Sequence, residues 1–214
     1  MKKKLFVITV IMAMLACLYA CGPGIPTPAE TADTFLTALK EQDSETLATV
    51  YEGGELDLLD KAAESDESDE AEDSSLNDVY EEQLKPILLD FDYEISNEQI
   101  NGDNASVDVK IKTYSIGEAF SAFFEDYISE AFVLAFSDVT EEELDTLAST
   151  ILSKKLDELA EKDYEKSATL TMSKVDGKWM VNELETGDEI VDGLTGGLMT
   201  AFTDMTNALS AWEE

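Results

Sequence analysis

The sequence predicts an α+β fold: N-terminal helices packed on a curved antiparallel sheet of about four strands, with an inserted helical hairpin and a C-terminal helix. Three observations carry this reading. Within 105–114, Val107, Val109 and Ile111 alternate with Asp108, Lys110 and Lys112, the mark of a half-buried strand. Across 117–159 the apolar period becomes helical, first in Phe120, Phe123, Phe124, Tyr127, Ile128 and Phe132, then in Leu144, Leu147, Ile151 and Leu152. Asn101-Gly102-Asp103-Asn104 and Asp176-Gly177 each separate two strand-like stretches and mark hairpin turns.

The elements follow in order. Thr27 or Thr31 begins a helix reaching Lys40, with Phe35, Leu36 and Leu39 inward, and Leu47, Val50 and Tyr51 continue a second, short helix. The low-complexity run 64–73, within an acidic loop 62–75, reads as a solvated segment. It lacks the glycine and the alternating ligands of a calcium loop, so no metal is expected there. A helix over 76–84 ends at Lys85-Pro86. Strands follow at 91–100 and 105–114. The span 117–162 is a helical insertion: an aromatic-rich helix, then a second one opened by the capping-box pair Thr140 and Glu143. A second hairpin covers 168–175 and 178–184. The helix over 190–212 is weakened at Gly193, Gly196 and Gly197, which mark either close packing or fraying.

Composition closes many mechanisms. There is no histidine and no arginine, and the two cysteines, Cys17 and Cys21, both lie near the N-terminus. That leaves no Ser-His-Asp or Cys-His nucleophile, no His or Cys zinc site and no arginine clamp for phosphate. The 48 acidic residues against 14 lysines give a net charge of −34, which repels nucleic acid and anionic headgroups. With 44% hydrophobic residues the chain still builds a core. No cofactor is expected.

The N-terminus sets the location. Lys2, Lys3 and Lys4 precede an apolar run over 5–20, shorter than the roughly 20 residues that span a bilayer core. Leu18-Tyr19-Ala20-Cys21 follows, with Gly22 next, and this resembles the lipobox of bacterial lipoproteins; Tyr19 departs from the small residue usual before the alanine. Met14-Leu15-Ala16-Cys17 is a weaker rival. The resemblance implies cleavage before Cys21 and thioether attachment of a diacylglyceryl group to it. Residues 1–20 are then the signal peptide, 21–28 the lipidated cysteine and tether, and 29–214 a single domain. The Pro- and Gly-rich tether reaches only about 20 Å, at about 3.1 Å per residue. The expected location is the extracytoplasmic face of the cell membrane. Lysine without arginine points to an A/T-rich genome and a Gram-positive host.

A second resemblance concerns the domain. Ala32-Asp33-Thr34-Phe35-Leu36-Thr37-Ala38-Leu39-Lys40 near the tether and Val175-Asp176-Gly177-Lys178-Trp179-Met180-Val181 near the end are similar to segments of secreted lipoproteins in the nuclear-transport-factor-like family of α+β cones. That resemblance implies a first helix of the former kind and a closing strand whose Trp179 packs into the sheet. The helical insertion and the C-terminal helix depart from the simplest cones.

The expected function is a non-catalytic ligand- or protein-binding module of the cell envelope. Its candidate face is Phe120, Phe123, Phe124, Tyr127, Phe132 and Trp179. Its expected partners are the membrane, through the lipid on Cys21, and an envelope protein or a small apolar ligand, and not nucleic acid. One alternative is cone-type isomerase or dehydratase chemistry, for which Asp90, Asp92, Tyr93, Asp108 and Tyr114 carry suitable groups. The other is a pocketless acidic interaction protein. Metabolic labelling with a clickable palmitate should mark the chain in its host; the label should vanish in Cys21→Ser and persist in Cys17→Ser.

Overall fold

A computed structural model describes residues 25–54, 75–134, 136 and 139–210; the signal segment, Cys17, Cys21 and the run 64–73 lie outside the described residues. Four antiparallel strands form an open sheet in the order β1-β2-β3-β4: β1 (Asp92–Asn101), β2 (Asn104–Thr113), β3 (Tyr164–Val175) and β4 (Lys178–Val181). The period-two pattern fixes the register. Val107 faces Leu170, Val109 faces Ala168, and Ala105 faces Met172, so one face collects the apolar side chains. The other face is polar, with Lys110 paired to Glu165 at 2.9 Å. Gly102, at φ 64°, turns the first hairpin, while Asp176 and Gly177, at φ 50° and 83°, form the doubly left-handed turn of the second.

Helix α1 (Pro28–Glu41) lies over the apolar face against β1, β2 and β4. Thr27 is its N-cap, and Thr27 and Glu30 complete a capping box. Ala32, Phe35 and Leu36 are wholly buried beneath it. Helix α2 (Ser44–Val50) leads to Tyr51, whose hydroxyl accepts the Leu184 amide at 3.0 Å and whose backbone bridges Val181, covering the edge of β4. The inner face is therefore packed with side chains; Val107, Val109, Ile111 and Leu170 have no exposure. The space that a cone pocket would need is filled at these positions.

Four features differ from the sequence expectation. Pro86 does not stop its helix: α3 (Ser75–Val79), a π turn (Tyr80–Leu84) and α4 (Lys85–Leu89) follow one another without a break. The Lys85 amide reaches back five residues to the Tyr80 carbonyl, and this wider turn accommodates the proline ring and its missing N–H. Strand β3 begins four residues earlier than expected, and β4 stops at Val181. The C-terminal helix is two helices, α7 (Glu189–Leu194) and α8 (Leu198–Ser210).

The helical pair α5 (Ile116–Leu134) and α6 (Glu141–Asp157) joins β2 to β3, and Thr140 and Glu143 form the capping box the sequence shows. Helix α5 packs against both α6 and α8. The glycines decide how α8 arrives. Gly196 and Gly197, at φ 60° and 82°, reverse the chain between α7 and α8. Gly117 donates its amide to the Gly196 carbonyl at 2.9 Å, and a Cβ there would fall 2.4 Å from the Gly197 oxygen. Close approach, and not fraying, is what these glycines provide. Gly117→Ala should therefore cost about 1–3 kcal/mol by overpacking, whereas Gly187→Ala, with open space around its Cβ, should be near neutral; thermal melts of both variants check this.

Candidate functional site

Helix α5 divides into two halves. In its first half Phe120 and Phe124 lie edge-on to Phe202 of α8, with centroids 6.0 and 6.4 Å apart, and Phe123 stacks on Tyr127 at 5.8 Å. Phe123 is buried and Phe120, Phe124 and Tyr127 are packed against the core. In its second half the same row continues without a cover among the described residues. Ile128, Phe132 and Val133 are 58%, 66% and 68% exposed, and Phe136, just past the helix, is 80% exposed with its ring edge-on to Phe132. Glu125 and Ser129 border this row and are exposed. The other flank is fixed by the ion pair between Asp126 and Lys155 of α6, at 2.7 Å.

Of the six residues of the candidate face, five share α5, but only Phe132 presents its ring outward. Trp179 lies elsewhere: it is buried on β4 with the Lys174 ammonium 5.1 Å from its ring centre. The face expected from the sequence does not include Ile128, Val133 or Phe136, which are exposed. Phe202 of α8 packs on Phe120 and Phe124 in the first half of α5.

A charged cluster lies where β3 meets α7 and α8. Tyr164 and Lys166 occupy inward-facing positions of β3, in step with Ala168 and Leu170. Asp192, only 5% exposed, answers both. Its Oδ2 accepts Lys166 Nζ at 2.7 Å and the Tyr164 hydroxyl at 3.0 Å, and its Oδ1 accepts the Thr200 amide at 2.8 Å. Burial alone would raise the proton affinity of Asp192; Lys166, the Thr200 amide and Tyr164 together outweigh it and hold the carboxyl below the usual range. Burial and the neighbouring carboxylate push the Tyr164 phenol well up. Two grooves flank α8 and meet at this cluster, of about 720 Å³ beside Thr203 and Asn207 and about 490 Å³ beside Gly117 and Glu125. Sequence reasoning passed over the cluster, although a lysine in register with Ala168 and Leu170 signals a buried counter-charge.

Of the five residues considered for cone chemistry, Asp90, Asp92 and Tyr114 meet around Lys162, and Tyr93 and Asp108 lie apart from them. The Tyr114 hydroxyl donates to Asp90 at 2.9 Å, and Lys162 binds Asp90 at 2.7 Å and Asp92 at 3.2 Å. The hydrogen bond from Lys162 holds the Asp90 carboxyl low, and the bond to Asp90 keeps the Tyr114 proton on. Tyr93 donates to Asp33 at 2.8 Å beneath α1, and Asp108 lies on the polar face, accepting from Asn97 and Thr169. The grooves beside α8 are lined by other residues.

No family model matches the sequence, and no curated protein matches it. One solved structure, that of YcdA from Bacillus subtilis, provisionally assigned as a lipoprotein, aligns with 78% of this chain at 16% identity and a TM-score of 0.37. The chain covers 48% of that protein, about half its length. A likeness this slight carries no argument about fold or activity.

Removing the Asp192 carboxylate leaves Lys166 half-buried without a counter-charge and the start of α8 without its acceptor. Asp192→Ala should cost about 3–5 kcal/mol, a fall in Tm of roughly 10 °C for a domain of this size. Because the folded carboxyl is held low, its contribution is complete above the ordinary carboxylate range and is lost as pH falls through the depressed value. The stability gap between wild type and Asp192→Asn, followed by denaturant titration, should therefore be widest near neutrality and should close in acid.

Proposed function

We propose that this chain is an extracytoplasmic lipoprotein, anchored through Cys21, whose domain binds a protein partner of the envelope through the open flank of α5 and performs no catalysis. One observation carries the partner reading. Ile128, Phe132, Val133 and Phe136 fall within nine residues on that flank, whereas the other large exposed apolar residues among those described, Ile25, Ile100 and Val175, are scattered. Single exposed apolar residues are ordinary, but a contiguous set marks an interaction surface. The lipobox-like segment around Cys21 supports the anchor.

The position of the flank fits a protein better than a bilayer. The tether joins α1, whose Ala29 amide bonds to Glu98 near the β1–β2 turn. The helical pair leaves from Thr113, toward the other end of β2, about 20 Å from the position opposite Glu98 by the rise of about six extended residues. The acidic chain is also repelled by anionic headgroups. The non-catalytic reading rests on the missing histidine and arginine and on the saturation of Asp192 by three donors.

A photo-crosslinking amino acid at position 132, in cells, should yield a discrete protein adduct that the same probe at Thr169, on the polar face of the sheet, does not. Absence of any adduct at 132, or lipid adducts alone, would refute partner binding by this flank.

A further inference from the structure

We infer that the element seated on α5 is a basic amphipathic helix; this rests on the reading that the flank binds a protein, and it specifies the partner. Ile128 and Phe132 stand four residues apart on α5, about 6 Å along its axis, and Phe136, just past the helix, extends the row with its ring edge-on to Phe132. A straight row of this kind complements the apolar ridge of a second helix, since ridges of four-residue spacing interlock.

The border of the row sets the charge of that helix. Glu125 stands beside it on α5, and Glu141 and Glu142 head α6 across the turn, all of them exposed. Among the described residues none of these three has a lysine within ion-pairing distance. Of the lysines of the helical pair and its surroundings, Lys155 is paired with Asp126 and Lys162 with Asp90 and Asp92, while Lys154 acts on Asp126 from the last turn of α6. An apolar row edged by unneutralised carboxylates fits a helix with Leu- or Phe-type anchors along one face and lysine or arginine on either side of it. A second copy of this chain would bring the same carboxylates together at a net charge of −34 per molecule, so self-pairing through this face is disfavoured.

The test uses the purified full chain and three synthetic helices of about eighteen residues. The first carries leucine along one face with lysine around it, the second has the same composition scrambled, and the third replaces lysine with glutamate. The Lys/Leu helix should bind in the micromolar range, and binding should weaken as salt rises from dilute buffer through a Debye length of about 8 Å. Phe132→Ser with Phe136→Ser should raise its Kd at least about 30-fold, the size of a hot-spot anchor. Both positions are exposed, so an unchanged melt checks that the fold is kept. Equal binding of the scrambled peptide, or indifference to the double variant, would show charge alone at work and overturn the inference. So would failure of the Lys/Leu helix, or preference for the Glu/Leu one. If the in-cell adduct at 132 still forms in those cases, protein binding by the flank stands and only the chemistry of the partner is wrong; mapping the adduct to an acidic or extended segment would say the same.

Discussion

The Asp192 carboxylate holds the two halves of this molecule together. A lysine on the inner face of a sheet is costly unless a counter-charge meets it, and the only approach left by α1 is from the C-terminal helices. Asp192 meets Lys166 from α7, takes the Tyr164 hydroxyl with the same oxygen, and turns its other oxygen to the Thr200 amide in the first turn of α8. One side chain thus joins β3, α7 and α8. Its own carbonyl accepts the Gly197 amide and fixes the reversal between the two helices.

What α8 does next depends on that reversal. Gly197 sits against Gly117, so α8 starts beside α5 at backbone distance, and Phe202 reaches Phe120 and Phe124. The aromatic half of α5 becomes core by this route, while the half beyond it stays open. A lysine on β3 therefore determines, through two helices, where the exposed apolar row begins. The distribution of charge follows the same division. Lys110, Lys155, Lys162 and Lys166 are paired within the body of the domain, and Lys40 donates to the Phe91 carbonyl at 2.6 Å. The carboxylates beside the row have no such partners among the described residues, which gives the row its acidic border.

Local signals were legible and distant ones were not. Val107, Val109 and Ile111 announce their strand because alternation is a property of neighbours, and Thr140 with Glu143 announces a helix start for the same reason. The element order, the antiparallel hairpins and the inserted helical pair all follow from such patterns. Pro86 misled because the π turn that accommodates it is set five residues away. Gly196 and Gly197 read equally as fraying or as close packing until Gly117, about eighty positions earlier, is placed against them. The candidate face suffered most. Phe120, Phe123, Phe124 and Phe132 share one helical period, and nothing local says that Phe202 covers the first part and leaves Phe132 open. Trp179, which the resemblance implies packs into the sheet, is buried on β4 and so takes no part in an exposed face.

Amide hydrogen exchange on wild type and Asp192→Asn, compared element by element, tests the central claim most directly: that this one carboxylate holds α8, and through it α5, on the sheet. Loss of protection confined to Gly197, Thr200 and Ala201 of the reversal and α8 and to Gly117 of α5, with β2 still protected, is the expected result. An even loss across β2 and α8 alike, or no change in α8, would contradict it.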